Sequence, residues 1–401
     1  MNTGIIVVAD GSVTSPPGFV AGAVSAGIKS VSGALDLALL VAEAPATAVG
    51  VFTRNRFRAA PVILSEKRLS SGKSRAILVN AGCANAGTGH LGFTNAEIMT
   101  RQTAEMLRVS EADVLVASTG VIGVHLPMIK IEDGLGRMML SEDGGHDFAR
   151  AIMTTDLVSK EIAVMVPEFG FTIGGCAKGS GMIHPDMATM LAFITTDAGG
   201  APGVLKELLC QKVGRSFNLI SVDGDTSTND SVFLLANGIT GVNLEPDTKA
   251  YELFSAALEY VCVFLARSIA RDGEGATRLV QLEVGGAATD EDARKIIRAV
   301  LSSPLFKTAV HGGDPNWGRI VAAAGRSGVD LEVERINLKI GNIVVLNQGQ
   351  PVDFDEALAA ALMSGPEVSL CLDLGLGTRT LTGWGCDMSA EYISINADYK
   401  T

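Results

Sequence analysis

Positive charge is in short supply: 32 Lys and Arg stand against 44 Asp and Glu, leaving a net charge of −12 and a pI near 5.0. Nucleic acid and anionic membrane surfaces both select for a basic patch. Neither is expected as a partner, and a small-molecule substrate is. The six cysteines, Cys83, Cys176, Cys210, Cys262, Cys371 and Cys386, include no C-x-x-C pair, and the chain is too large to need disulfide staples. A reduced, cytoplasmic setting is expected. The apolar stretch from Leu35 to Phe52 is interrupted by Asp36, Glu43 and Pro45, and Met1 to Gly4 carries no basic residue. Neither a membrane span nor a signal peptide is expected.

Several motifs are missing as well. The chain is read as holding no G-x-x-x-x-G-K-[ST] phosphate loop, no G-x-G-x-x-G after a strand, no H-E-x-x-H and no G-x-S-x-G elbow. A phosphate-cradling or dinucleotide fold and a serine hydrolase are therefore not expected. His90, His125, His146, His184 and His311 show no metal-ligand spacing, so no metal is expected and each is read as a surface or capping residue. The stretch from Asp223 to Leu234 opens like a calcium loop. It places Thr228 where that loop needs glycine and Leu234 where it needs the bidentate Glu, so it is read as turn chemistry joining two strands near the site.

With 401 residues, 47% hydrophobic and 19% charged, the composition is globular. Forty-six glycines beside 5% aromatics suggest tight turns and close backbone contacts. Short β-rich runs at 76–79, 114–117, 162–166, 190–194, 219–222 and 232–235 alternate with helical stretches. Capping boxes at Thr94…Glu97 and Thr289…Asp292 are read as helix starts. Interleaved strands and helices point to α/β or layered α+β architecture. The polar stretch Arg271 to Gly275 and a turn at Gly285-Gly286 place a domain boundary near residue 280, giving units 1–280 and 281–401.

The most informative segment runs from Cys176 to Ala198. Lys178-Gly179-Ser180-Gly181 and Pro185 predict an exposed, irregular loop that leads straight into a strand at Thr189. A β-branched hydroxyl residue in that place suits an N-terminal nucleophile. Its hydroxyl attacks the preceding carbonyl, here that of Ala188, and the freed amine, with an ordinary pKa of about 7.7–8.0, serves as its base. A glycine-rich loop before a strand is also a common structural feature, and local chemistry leaves both readings open. ASTGVIG, from Ala117 to Gly123, follows a strand; its backbone N–H groups and the Thr119 hydroxyl could face an oxyanion, or form an ordinary turn. Asp314, Asn316, Trp317 and Arg319 cluster at a proline turn and are read as scaffolding.

Taken together, PPGF from Pro16, VFTRNRFRAAPV from Val51, NAGCANAGTG from Asn80, ASTGVIG, KGSGMIHPDMATML, VDGDTSTND, GEGAT from Gly273, DPNWGRI and the terminal INADYKT resemble the bifunctional ornithine acetyltransferase / glutamate N-acetyltransferase family of arginine biosynthesis. The resemblance spans the whole chain. It implies a layered αββα sandwich shared with self-processing aminopeptidases, followed by a smaller C-terminal α/β domain whose tail reaches the site. It implies cleavage between Ala188 and Thr189 into fragments of 188 and 213 residues (401 less 188), with Thr189 as nucleophile. Thr119 and Gly120 match the oxyanion pair. Thr155, Lys178, Glu274, Asn396 and Thr401, with Thr189 itself, match substrate-binding positions. Acetyl passes from N-acetylornithine to glutamate without a cofactor, in a cytoplasmic assembly commonly holding two α and two β fragments. Whether acetyl-CoA also serves as donor is left open, because both versions of the family share these motifs. The rival readings are a self-processing aminopeptidase or amidase of the same fold, and a binding or structural protein that keeps the fold without the chemistry. Asp186 stands where Asn is more usual.

Overall fold

The computed structural model describes residues 4–184 and 190–398. Its first sheet joins β1 (Ile6–Val7), β2 (Phe19–Val24), β3 (Leu37–Phe52), β4 (Lys73–Cys83), β5 (Val114–Val121), β6 (Lys160–Val166), β7 (Phe171–Lys178), β8 (Leu191–Thr196) and β11 (Ser231–Ala236). The order is β1-β6-β7-β8-β11-β3-β4-β5, with β2 also on β3. The second sheet holds β10 (Ile220–Ser221), β13 (Leu279–Ala287), β14 (Asn337–Ile340), β15 (Ile343–Asn347), β16 (Gln350–Pro351), β17 (Glu367–Asp373) and β18 (Arg379–Cys386). A short ribbon pairs β9 (Gly199–Gly200) with β12 (Asn243–Leu244). The helices are α1 (Ala60–Arg68), α2 (Gly89–Leu107), α3 (Met128–Gly136), α4 (Gly145–Ala151), α5 (Pro202–Gly214), α6 (Lys249–Arg271), α7 (Asp290–Leu301), α8 (Pro304–Gly312), α9 (Trp317–Gly325), α10 (Glu356–Met363) and α11 (Ala390–Asp398).

Strand alternation builds the layers. In the first half of β3, Ala38, Leu40 and Ala42 face a central core while Leu37, Leu39 and Val41 face α2 and α3. Register with β4 shifts between Val41 and Ala46, around Pro45. Proline cannot donate to a ladder and is tolerated at such an irregularity. Beyond it, β3 changes partner along one edge, from β2 at residues 37–42 to β11 at residues 47–52. Ala46, Ala48 and Phe52 still face the central core, whereas Val49 and Val51 now meet the core under α5 and α6. One strand thus runs through two half-sheets packed face to face, each covered outside by helices. This is the αββα sandwich expected of the chain. Helix α6 is long and apolar enough to cross a membrane, and ten of its residues, Phe254 and Leu258 among them, are buried within the sandwich.

The second sheet packs its own apolar face under α7, α8 and α9, and near its β10 end β18 reaches the α6 core through Trp384 and Cys386. Gly285-Gly286, read from sequence as a turn, lies within β13, where register shifts between Val284 and Ala287. Gly286 has φ +63°, so the pair forms a bulge rather than a chain reversal. Thr94 does not start a helix either. It sits inside α2, which begins at Gly89 directly after the β4 turn. Thr289 does cap α7, its hydroxyl accepting from Asp292 N–H at 3.1 Å.

A G-x-G-x-x-G run escaped the sequence reading. Gly87 to Gly92 has that spacing and links β4 through α2 to the parallel strand β5. In that turn Thr88 Oγ1 donates to Asn85 Oδ1 at 2.9 Å, and Asn85 Nδ2 donates to Gly92 O at 2.8 Å. A Cβ at Gly92 would collide with Thr88. The glycine there admits the chain's own side chains at the helix start.

Candidate active site

Several strand ends of the sandwich open on one cavity of about 200 Å³. Thr119 and Gly120 come from the end of β5, Lys178 from the last position of β7, and Met190 and Leu191 from the start of β8. Thr154 and Thr155 reach it from the segment before β6, Glu274 from the turn after α6, and Tyr392 and Asn396 from α11. Of the positions singled out in the sequence, Thr119, Gly120, Thr155, Lys178, Glu274 and Asn396 therefore share one wall system. Ala188, Thr189 and Thr401 lie outside the described residues. Met190, the residue after Thr189, lines the cavity.

The Thr119–Gly120 corner is fixed by close backbone contact. Gly120 pairs with Gly82 and has φ +125°, and a Cβ there would come within 2.6 Å of Cys83 N. Only glycine fits both demands. Behind it, Ser118 Oγ donates to Asn80 Oδ1 at 2.6 Å, and Asn229 Nδ2 donates to Ala84 O at 2.6 Å and Ser118 O at 2.9 Å. These buried groups are paired, as burial requires.

Lys178, Gly179 and Ser180 were expected in an exposed loop, and the structure corrects this. Lys178 is 9% exposed and Ser180 1%. The reason is partnership: Lys178 Nζ donates to Thr119 Oγ1 at 3.2 Å, Gly179 N–H to Asp156 Oδ1 at 2.6 Å, and Ser180 Oγ to Asp272 O at 2.7 Å. Burial draws the Lys178 ammonium below the ordinary lysine value, while Asp156, Asp230 and Glu274 oppose that pull. Asn396 Nδ2 donates to Glu274 Oε2 at 2.8 Å, so the C-terminal helix docks on the cavity rather than fraying.

Sequence reading missed the part that residues 223–230 play. Asp223 does make the expected Asx-type contacts, accepting from Met182, Ile183 and Asp225 N–H at 2.6, 2.9 and 3.1 Å. Burial raises its carboxyl, against those N–H groups. Yet Asp223, Asp225 and Ser227 to Asp230 also line the cavity, as does Tyr392. The polar density of VDGDTSTND ahead of a strand was the available signal. Residues 314–319 stay away from the cavity. Trp317 opens α9 against the second core, in keeping with the scaffold reading. Among the described residues, no group of three or more His, Cys, Asp or Glu could hold a metal ion.

Residues 20–401 match the ArgJ family. A protein of Dehalococcoides mccartyi (strain CBDB1) named arginine biosynthesis bifunctional protein ArgJ is 53% identical over 405 aligned positions, covering 100% of both chains. The chain belongs to the ArgJ family. A protein of the same name from Symbiobacterium thermophilum is 48% identical across 98% of this chain and 99% of its own. The crystal structure of the ArgJ protein from Bacillus halodurans is 43% identical with a TM-score of 0.50, covering 52% of this chain and 98% of that one. Family membership thus agrees with the resemblance drawn from the motifs.

Proposed function

We propose that this chain is a self-cleaving N-acetyltransferase of arginine biosynthesis that moves acetyl from N-acetylornithine to glutamate. The observation carrying this reading is the convergence of Thr119, Gly120, Thr155, Lys178, Glu274 and Asn396 on a cavity that Met190 also lines. Cleavage after Ala188 frees the Thr189 amine. Thr189 Oγ attacks the acetyl carbonyl, its proton passing to that amine and on to the departing ornithine amine, and an acetyl-threonine ester remains. The glutamate amine then attacks the ester and Thr189 regains its proton. Thr119 and Gly120 stabilise the oxyanion, with Lys178 adjoining Thr119. Thr155, Lys178, Glu274, Asn396 and Thr401 hold substrate, and Glu274 suits the side-chain ammonium of ornithine. One amide is exchanged for another, so the transfer needs no cofactor; acetyl-CoA is a candidate second donor. The two fragments assemble as an α2β2 heterotetramer in the cytoplasm.

Supporting the cleavage, the solved Bacillus halodurans chain matches over nearly all its length and yet accounts for 52% of this one, close to 213 residues of 401. The test is intact-mass analysis of purified protein with an acetyl-transfer assay. Fragments of 188 and 213 residues are expected from the parent, and an uncut, inactive chain from Thr189→Ala. A Thr189→Ala chain that is cut and active would overturn the proposal. Release of free acetate instead of acetylglutamate would favour the amidase reading.

A further inference from the structure

Three walls of the cavity meet on a buried ion cluster that the catalytic scheme does not use. Lys160, at the start of β6, is 2% exposed. Its ammonium lies 2.7 Å from Asp156 Oδ1 and 2.6 Å from Asp272 Oδ2, and it also donates to Val158 O at 3.2 Å. Asp156 Oδ1 accepts the Gly179 N–H at 2.6 Å and its Oδ2 the Thr154 N–H at 3.0 Å. Asp272 Oδ2 accepts the Leu157 N–H at 3.1 Å, and its main-chain oxygen accepts the Ser180 hydroxyl. Three of these bonds reach the cavity wall or its neighbours: Asp156 holds Thr154, Asp156 holds Gly179 next to Lys178, and Asp272, which holds Ser180, lies two residues before Glu274. A buried ion cluster is weak evidence for stability, because apolar groups of equal volume commonly serve as well. Its position asks for another account.

We propose that Asp156 is a positioning residue for Lys178: gripped by Lys160 on one side, its carboxylate holds the Gly179 N–H on the other and so fixes the end of β7 from which Lys178 reaches Thr119. The charged groups acting on Lys178 are Asp156, Lys160, Asp230 and Glu274, with Lys29 also within their field. Asp156 is the foremost of those that oppose the effect of burial on Lys178. Although burial pushes its own carboxyl up, Lys160 and Lys178 outweigh that push and hold it at about 2, so it is ionised throughout the working range. The catalytic part of this inference rests on reading Lys178 as the cation beside the nucleophile, so its test includes a readout that needs no catalysis.

The full chain, labelled at lysine Cε with carbon-13, is titrated by NMR, and the Lys178 resonance is assigned by its loss in Lys178→Arg. In Asp156→Asn the resonance should titrate at a pH lower by about one unit, because a carboxylate that favours the ammonium has gone. Asp272→Asn removes the other carboxylate gripping Lys160 and should leave the Lys178 titration in place. A residue that merely props the fold would, once replaced, relax the burial and move Lys178 upward. An upward or absent shift in Asp156→Asn therefore overturns the proposal. Should that variant not fold, Asp156→Asn with Lys160→Met removes opposite charges together; the shift should still be downward and smaller, and its absence overturns the proposal equally. In the same proteins the alkaline limb of kcat/KM for acetyl transfer should fall with the Lys178 titration, and a limb that stays put overturns the link to catalysis. A parent that transfers no acetyl would refute the proposed function, while the NMR shift would still decide the role of Asp156.

Discussion

The face of the second sheet that meets α7, α8 and α9 carries Val280, Leu282, Val284, Leu338, Ile340, Leu370 and Leu372, all buried. Where β5 and β7 end in the first sheet, the buried positions are Ser118, Thr119 and Lys178, joined by Asn229 and Asp230 just before β11. A strand of the second sheet such as β17 alternates buried positions with exposed or half-buried ones, whereas β5 and β7 are buried on both faces, so that neighbours such as Ser118 and Thr119 both leave solvent. An apolar face needs only to be covered, whereas each polar group taken out of water needs a partner or costs on the order of 1–3 kcal/mol. The cavity end accepts that demand repeatedly, through the Ser118–Asn80 and Asn229 bonds and the Asp156–Lys160–Asp272 cluster. Substitutions at the cavity end should therefore change transfer, and those in the second core should change stability alone.

The hardest test of that division is Lys178→Met, which keeps the length and apolar stem and removes the charge next to Thr119. A loss of about 10²–10³-fold in kcat is expected, the size seen when one donor at a developing charge is removed, with a cooperative melt retained. Near-parental turnover would break the comparison. Gly120→Ala should follow with a loss of about tenfold or more and a lower Tm, because strain at a positive φ is of order 1–3 kcal/mol and the new Cβ presses on Cys83 N. On the other side stands Ile297→Ala in α7, a residue wholly buried in the second core. It should destabilise by about 2–5 kcal/mol through transfer and cavity terms, measured by urea denaturation, and leave KM for both substrates at the parental value. A changed KM would show that the two regions are coupled.

How far the sequence disclosed this division depended on how local each signal was. The six buried runs at 76–79, 114–117, 162–166, 190–194, 219–222 and 232–235 all fall on strands, the 219–222 run only on the two-residue β10, because a short, near-continuous apolar run is written into each segment. The motifs likewise pointed to Thr119, Gly120, Thr155, Lys178, Glu274 and Asn396, which the fold brings to one cavity. What stayed hidden was set by distant partners. Lys178 and Ser180 sit in a glycine-rich run that reads as exposed, and only contact with Thr119 and Asp272, 59 and 92 residues away, makes burial tolerable. Asp272 and Lys160, 112 residues apart, form a pair that no local pattern marks. Thr94 misled for the converse reason: its T-x-x-E pattern is present, but α2 already starts at Gly89, after the turn that follows β4.

The smallest expected effect sharpens the second half of the comparison. Thr289 precedes α7, whose first turn carries Asp290, Glu291 and Asp292. Acidic residues there complement the positive end of the helix dipole, and the Thr289 hydroxyl satisfies one of the N–H groups that no helix can satisfy internally. Thr289→Ala should cost about 1 kcal/mol, while Thr289→Ser should cost much less, since it keeps the accepting oxygen. Neither should alter kcat or KM, because α7 supplies no residue that lines the cavity. Equal losses from Ala and Ser would mean that the Thr289 methyl group, rather than the hydroxyl, holds the helix start. A shift in kcat from either would show that the second core transmits strain to the sandwich through β18, whose Trp384 and Cys386 already pack in the α6 core.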